Sequence, residues 1–130
     1  MRAVDTNVLV RLAALDHSRQ VAAAQAFVAT GVWVSTLVIA ELTWVLAGTY
    51  GFDRARIATA VEMLLGNPLV TLQDADLLQE ALEYFRSRPA VSFSDCLILE
   101  SARRAGRLPL GTFDKDLGKL EGAEHLRASA

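Results

Sequence analysis

The chain has 130 residues, 52% of them apolar, a net charge of −2 and a mean hydropathy of +0.29. That length fits one compact domain with a real core, and the slightly negative charge argues against a generic nucleic-acid binder, which is usually basic. The most apolar stretch, VWVSTLVIAELTWVLAG, is broken by Ser35, Thr36 and Glu41, whereas a membrane span needs roughly 20 apolar residues.

No charged-then-apolar leader opens the chain, so a cytoplasmic location is expected. Cys96 is alone and permits no internal disulfide. His17 and His125 lie far apart without a thiol at ligand spacing, which disfavours zinc and predicts two surface histidines. The apolar surplus predicts an interface with a second chain.

In chain order, residues 2–5 read as a short strand and 6–14 as a helix with Val8, Leu9, Leu12 and Ala13 on one face. DHSRQVAAAQAFVATG reads as an alanine-rich second helix ended by Gly31. VWVS is a short strand, and Ser35 or Thr36 caps a third helix reaching Gly48. DRARIATAVEMLLGN is a fourth helix, opened by Asp53 and closed by Gly66 and Asn67. LVTL is a strand, DADLLQEALEYFRSR a fifth helix halted before Pro89, and SFSDCLILESARRAG a sixth. LPLGTF supplies a strand, and a last short one is expected around His125–Arg127. Trp33 and Phe93 are assigned to the core. Strands alternating with helices predict an α/β fold: one three-layer α/β/α domain over residues 1–130 with a mainly parallel sheet of four or five strands.

In such a sheet, sites gather beyond the carboxyl ends of the strands. Asp5 ends the first strand and Asp114 ends LPLGTF. Glu41 and Asp95 belong to helices that start near the same edge if the crossovers are right-handed. Glu41 interrupts an apolar stripe of Val38, Leu42 and Val45, and a carboxylate there needs a partner or a cation. Ordinary duties exist for the others: Asp5 as a helix cap, Asp95 as the acidic partner of Ser92 in a capping box, and Asp114 and Asp116 as openers of a last helix. Carboxylates crowded into one crevice repel unless a cation sits between them. Oxygen ligands without His or Cys favour Mg²⁺ or Mn²⁺, one ion or two, and such a site suits phosphodiester hydrolysis.

Four short pieces, VDTNVLV, VIAELTWVL, FSDCLIL and GTFDKDL, stand in an order and spacing that resembles PIN-domain ribonucleases, most closely the VapC toxins of type II toxin–antitoxin pairs. The resemblance implies a metal-dependent endoribonuclease that leaves a 5′-phosphate and a 3′-hydroxyl. It also implies a homodimer and a small antitoxin seated in a groove. By position it makes Asp5, Glu41, Asp95 and Asp114 the metal-holding acids. Asn7, Thr112 and Asp116 stand behind them as orienting groups, with Thr112 serving Asp114.

Positive charge gathers in residues 86–119, where Arg86, Arg88, Lys115 and Lys119 are candidates to guide an RNA backbone past the acids. Trp44, Val45 and Tyr50, and the VAAAQAFV face of the second helix, are candidates to receive the antitoxin segment. Cys96 stands where a small residue is expected and reads as core rather than nucleophile. Two rival readings are a phosphatase of the haloacid dehalogenase type and a non-catalytic interaction domain. The phosphatase needs a second aspartate two positions after Asp5, where this chain has Asn7.

Overall fold

A computed structural model describes residues 1–129. Its strands are β1 (Arg2–Ala3), β2 (Val32–Val34), β3 (Val70–Leu72), β4 (Leu110–Thr112) and β5 (Ala123–His125). Its helices are α1 (Thr6–Ala14), α2 (Ser18–Val28), α3 (Thr36–Gly48), α4 (Arg54–Gly66), α5 (Ala75–Ser87) and α6 (Phe93–Arg104), with a 3-10 turn at Leu117–Lys119. The class is α/β, as expected.

All strand pairs are parallel, in two ladders: β1-β2-β3 and β4-β5. The expected sheet of four or five strands is divided here, and among the described residues no ladder bond joins β4 to β1. The last strand lies at Ala123–His125, earlier than the span expected for it, with Thr112 opposite His125.

Helix starts follow local chemistry. Asp5, Ser35, Asp53, Asp74 and Ser92 each accept a backbone N–H from three residues ahead, satisfying donors that the first turn leaves free. α5 is strongly two-faced: Leu77, Leu78, Ala81, Leu82 and Phe85 are buried, and Glu80 and Glu83 are exposed. α3 packs against α1, α4 and α6, and α5 packs against α4 and α6. Their buried side chains join Val32 and Val34 of β2 in one hydrophobic cluster.

Period-two alternation decides the fate of Trp33. Val32 and Val34 are fully buried, which turns Trp33 to the opposite face beside Ala3 and Thr71. That row is exposed, Trp33 by 37%, so its assignment to the core is corrected. Phe93 is core, 2% exposed and packed edge-on against Phe85 at 5.7 Å. Cys96 is also core. Burial, foremost, pushes its thiol up to about 11, against the pull of Arg54.

The β4-β5 ladder is held against the 3-10 turn by a close approach at Gly118. A Cβ added there meets His125 Cβ at 2.6 Å and His125 Cα at 3.0 Å. Neither atom is the free end of a flexible side chain. Gly118→Ala is therefore expected to cost about 1–3 kcal/mol, the range for overpacking, read as a lowered urea midpoint with an unchanged slope.

Candidate active site

Asp5 leaves β1 directly into α1 and is its cap: Oδ1 accepts the Val8 N–H at 3.3 Å. The carboxylate is exposed, and capping through one oxygen leaves the other available. Asn7, in the first turn of α1, is exposed beside it.

Periodicity places Glu41 in the buried stripe of Val38, Leu42 and Val45; the structure does not. Glu41 is exposed and shares its face of α3 with Leu37 and Trp44, which are 77% and 74% exposed. Its neighbours at i−4 and i+3 set its phase, and the argument from buried charge does not apply to it.

Asp95 is the third residue of α6 and is half-buried. Ser92 caps the helix, accepting the Asp95 N–H on Oγ at 3.2 Å. The return bond of a capping box, from the Ser92 N–H to the Asp95 carboxylate, is absent among the described residues. Glu41 and Asp95 thus sit on two helices packed together, and neither carboxylate has a hydrogen-bonded or ion-paired partner among the described residues.

Asp114 follows β4. Its N–H donates to Thr112 Oγ1 at 2.9 Å, and its Oδ1 accepts the Leu117 N–H at 2.8 Å. Thr112 therefore fixes the backbone of Asp114, and the carboxylate is oriented by the 3-10 turn it opens. Asp116 is exposed and makes no side-chain cap.

The β1-β2 pairing and the packing of α3 on α1 and α6 bring the elements of Asp5, Glu41 and Asp95 together. Asp114 arrives on the separate ladder. Among the described residues no three Asp, Glu, His or Cys side chains form a ready metal cage. Mg²⁺ does not require one, because it keeps several waters and is held through one or two carboxylates plus substrate phosphates. Hard carboxylate oxygens, exposed on Asp5, Glu41 and Asp114 and half-buried on Asp95, with no ion-paired Lys or Arg among the described residues, fit that ion.

The candidate basic groups divide. Arg86 is engaged with Glu62 at 2.7 Å. Arg88 lies 5.8 Å from the Tyr84 ring. Lys115 and Lys119 are exposed and have no ion pair among the described residues. His17 and His125 are exposed, as expected.

Three polar clusters were invisible to periodicity. Arg54 donates to Phe85 O at 2.6 Å, Val91 O at 2.7 Å and Arg88 O at 2.9 Å, with its guanidinium 3.8 Å over the Phe85 ring. It ties off α5 and fixes the loop that delivers Ser92 and Asp95. Among the described residues the buried carboxylate is Glu100, 4% exposed, held by Arg103 Nε at 2.9 Å. Arg103 also donates to Glu121 O at 2.8 Å, linking α6 to the entry of β5.

The third cluster joins Arg11, Asp16 and Tyr50 through bonds of 2.8–3.0 Å. Burial alone raises the Asp16 carboxyl, but the bonds from Tyr50 and Arg11 outweigh it and hold it below the usual 3.8. A lowered folded-state value gives stability that is present above the unfolded value and lost as pH falls through the folded one. The wild-type unfolding midpoint is expected to drop more steeply than that of Asp16→Asn as pH falls below about 4, measured by thermal melts in acid.

Two concavities stand out among the described residues. A recess of about 130 Å³ is bordered by Trp44, Arg54, Ser92, Phe93 and Ser94, and none of the four candidate acids lines it. An apolar groove of about 560 Å³ runs between α1 and α4, over Leu42 and beside Leu12, Phe52 and Met63. Of the surfaces expected to receive a partner, Trp44 is 74% exposed. Val45 and Tyr50 are half-buried, and α2 buries Val21, Ala24 and Val28, with Phe27 under the Arg2 guanidinium at 3.8 Å. Among the described residues no helix is long and apolar enough to cross a membrane.

The profile of the PIN domain family matches residues 2–123. No curated protein and no solved structure matches the chain. A match that spans nearly the whole sequence, on an α/β fold with parallel strands, places the chain in the PIN domain family, whose members are in general metal-dependent nucleases.

Proposed function

We propose that this PIN domain is a Mg²⁺- or Mn²⁺-dependent endoribonuclease and the toxin of a type II toxin–antitoxin pair. Asp5, Glu41, Asp95 and Asp114 are the acids that hold one or two ions. The observation that supports this most is the state of Asp95. It is half-buried at the start of a helix that Ser92 already caps, so its carboxylate has no structural duty left.

Asp5, Glu41, Asp95 and Asp114 would hold the ion, which would supply activation of a water and charge neutralisation on the phosphoryl oxygens. The chain's own part is to hold donors still. The Ser92 cap and the Arg54 clamp fix Asp95. Thr112 and the 3-10 turn fix Asp114, and the α1 cap fixes Asp5. Asn7 is the polar group beside Asp5, and Asp116 supplies an outer negative charge. Of the four candidate basic residues, Lys115 and Lys119 are the most available to a phosphate backbone, with Arg88 next and Arg86 the least available.

The toxin reading adds a small antitoxin whose amphipathic segment lies in the apolar groove between α1 and α4, and a homodimer as the toxin's assembly. The phosphatase alternative gains nothing from the family match. Purified protein is expected to cut RNA with added Mg²⁺ or Mn²⁺ and to stop with a chelator, leaving a 5′-phosphate and a 3′-hydroxyl. Induced expression in a bacterial host is expected to arrest growth with the wild type and not with Asp95→Asn. RNA cutting that persists in chelator, or equal arrest by both proteins, contradicts the reading.

A further inference from the structure

We infer that Phe113 is a stacking platform for one unpaired base of the RNA, next to the phosphate that Asp114 faces. The inference rests on the nuclease reading above and deepens it by naming a residue that selects single-stranded substrate. Phe113 is 70% exposed and directly precedes Asp114, so its alpha carbon lies about 3.8 Å from that of the acid.

The ring stands on backbone pinned from several sides. His125 Nε2–H donates to Phe113 O at 3.2 Å, and the Leu126 N–H donates to Thr112 O at 2.7 Å. The Asp114 N–H is held by Thr112 Oγ1 at 2.9 Å, and Gly118 sits tight under His125. An exposed ring on a fixed backbone binds a flat ligand at little ordering cost.

Its surroundings select the class of ligand. The residues that follow are Asp114, Lys115 and Asp116, all exposed and charged, with Lys119 one turn on. A docking face for a protein helix needs several apolar anchors at helical spacing, and here the Phe113 ring has only Leu126, 37% exposed just past the paired strand, as an apolar neighbour of that kind. An aromatic ring interleaved with lysines is the chemistry that reads single strands, because every unpaired base has a π-face and every nucleotide brings a phosphate. Asp114 carries the opposite charge to those lysines, and a cation at that carboxylate would offset it.

The test uses the full chain and an unstructured oligoribonucleotide that the wild type cleaves, bound with Ca²⁺ in place of Mg²⁺ so that the carboxylates keep a hard cation while cutting is suppressed. 2-Aminopurine is placed in turn at each position around the cleaved bond. Wild type is expected to quench it at one flanking position. Phe113→Leu is expected to lose the quenching and weaken binding roughly 5- to 150-fold, while Phe113→Trp keeps both. Lys115→Ala is expected to lower the salt dependence of binding by about one phosphate contact without restoring fluorescence.

Unchanged quenching and affinity in Phe113→Leu, with the wild type still cutting RNA when Mg²⁺ is added, overturns the platform and leaves the nuclease standing. Equal loss in the Leu and Trp variants also overturns it, since shape rather than stacking is then at work. A wild type that neither binds nor cuts RNA removes both readings. A lowered melting midpoint in Phe113→Leu contradicts the exposed ring on which the inference stands.

Discussion

Asp95→Asn and Asp5→Asn are each expected to lose metal-dependent RNA cleavage by more than about 100-fold, since even groups one layer outside a metal cost 10- to 100-fold when changed. Each change removes a full negative charge and a hard oxygen donor and leaves shape intact. Neither is expected to disturb folding. Ser92, not Asp95, caps α6 through its Oγ at 3.2 Å. At position 5, asparagine caps a helix about as well as aspartate, so the bond to the Val8 N–H survives. The check is the cleavage rate with Mg²⁺ or Mn²⁺ beside melting curves of the same preparations. Full activity in either variant, or lost activity together with a lost fold, contradicts this assignment.

The largest stability effect is expected at a residue that touches none of the acids. Arg54→Ala removes three short bonds, to Phe85 O at 2.6 Å, Val91 O at 2.7 Å and Arg88 O at 2.9 Å. Bonds to a charged donor contribute about 1.5–3 kcal/mol each, and the values do not add when they share one group. The guanidinium also lies 3.8 Å over the Phe85 ring, and that contact goes with it. Burial lowers the pKa of this guanidinium, so part of the gain is offset by its loss of water. A net loss of about 3 kcal/mol is expected, on the order of 10 °C in melting midpoint. Arg54→Lys recovers little of it, because one ammonium cannot span three carbonyls in a plane. A midpoint within about 2 °C of wild type in Arg54→Ala contradicts the clamp.

What was legible in the sequence was local. The capping residues Asp5, Ser35, Asp53, Asp74 and Ser92 act on donors three residues away, so their chemistry stands in the same short window as their effect. α5 could be read because its apolar residues recur on one face. α3 could not. TLVIAELTWVL is apolar nearly all round, so it defines no stripe, and the phase of Glu41 is set by packing against α1, α4 and α6.

The strands hold two or three residues each, too few to show a period, and the facing of Trp33 and the division into two ladders went unread for that reason. Arg54 meets its acceptors 31–37 positions away, and Arg11 meets Tyr50 at a separation of 39. Such partners leave no local trace. Of the candidate acids, the sequence placed Asp5 and Asp114 correctly after their strands and Asp95 in the first turn of its helix. How far their oxygens close around a shared ion is a tertiary property, which neither spacing nor periodicity encodes.

The most direct measurement is a crystal structure of the protein grown or soaked with Mn²⁺ and recorded for its anomalous signal. We expect a peak bonded to oxygens of at least two among Asp5, Glu41, Asp95 and Asp114, vanishing in Asp95→Asn. Saturating Mn²⁺ with no peak between those side chains, or one bound by other residues alone, would mean that the scattered acids serve the fold and not a cation.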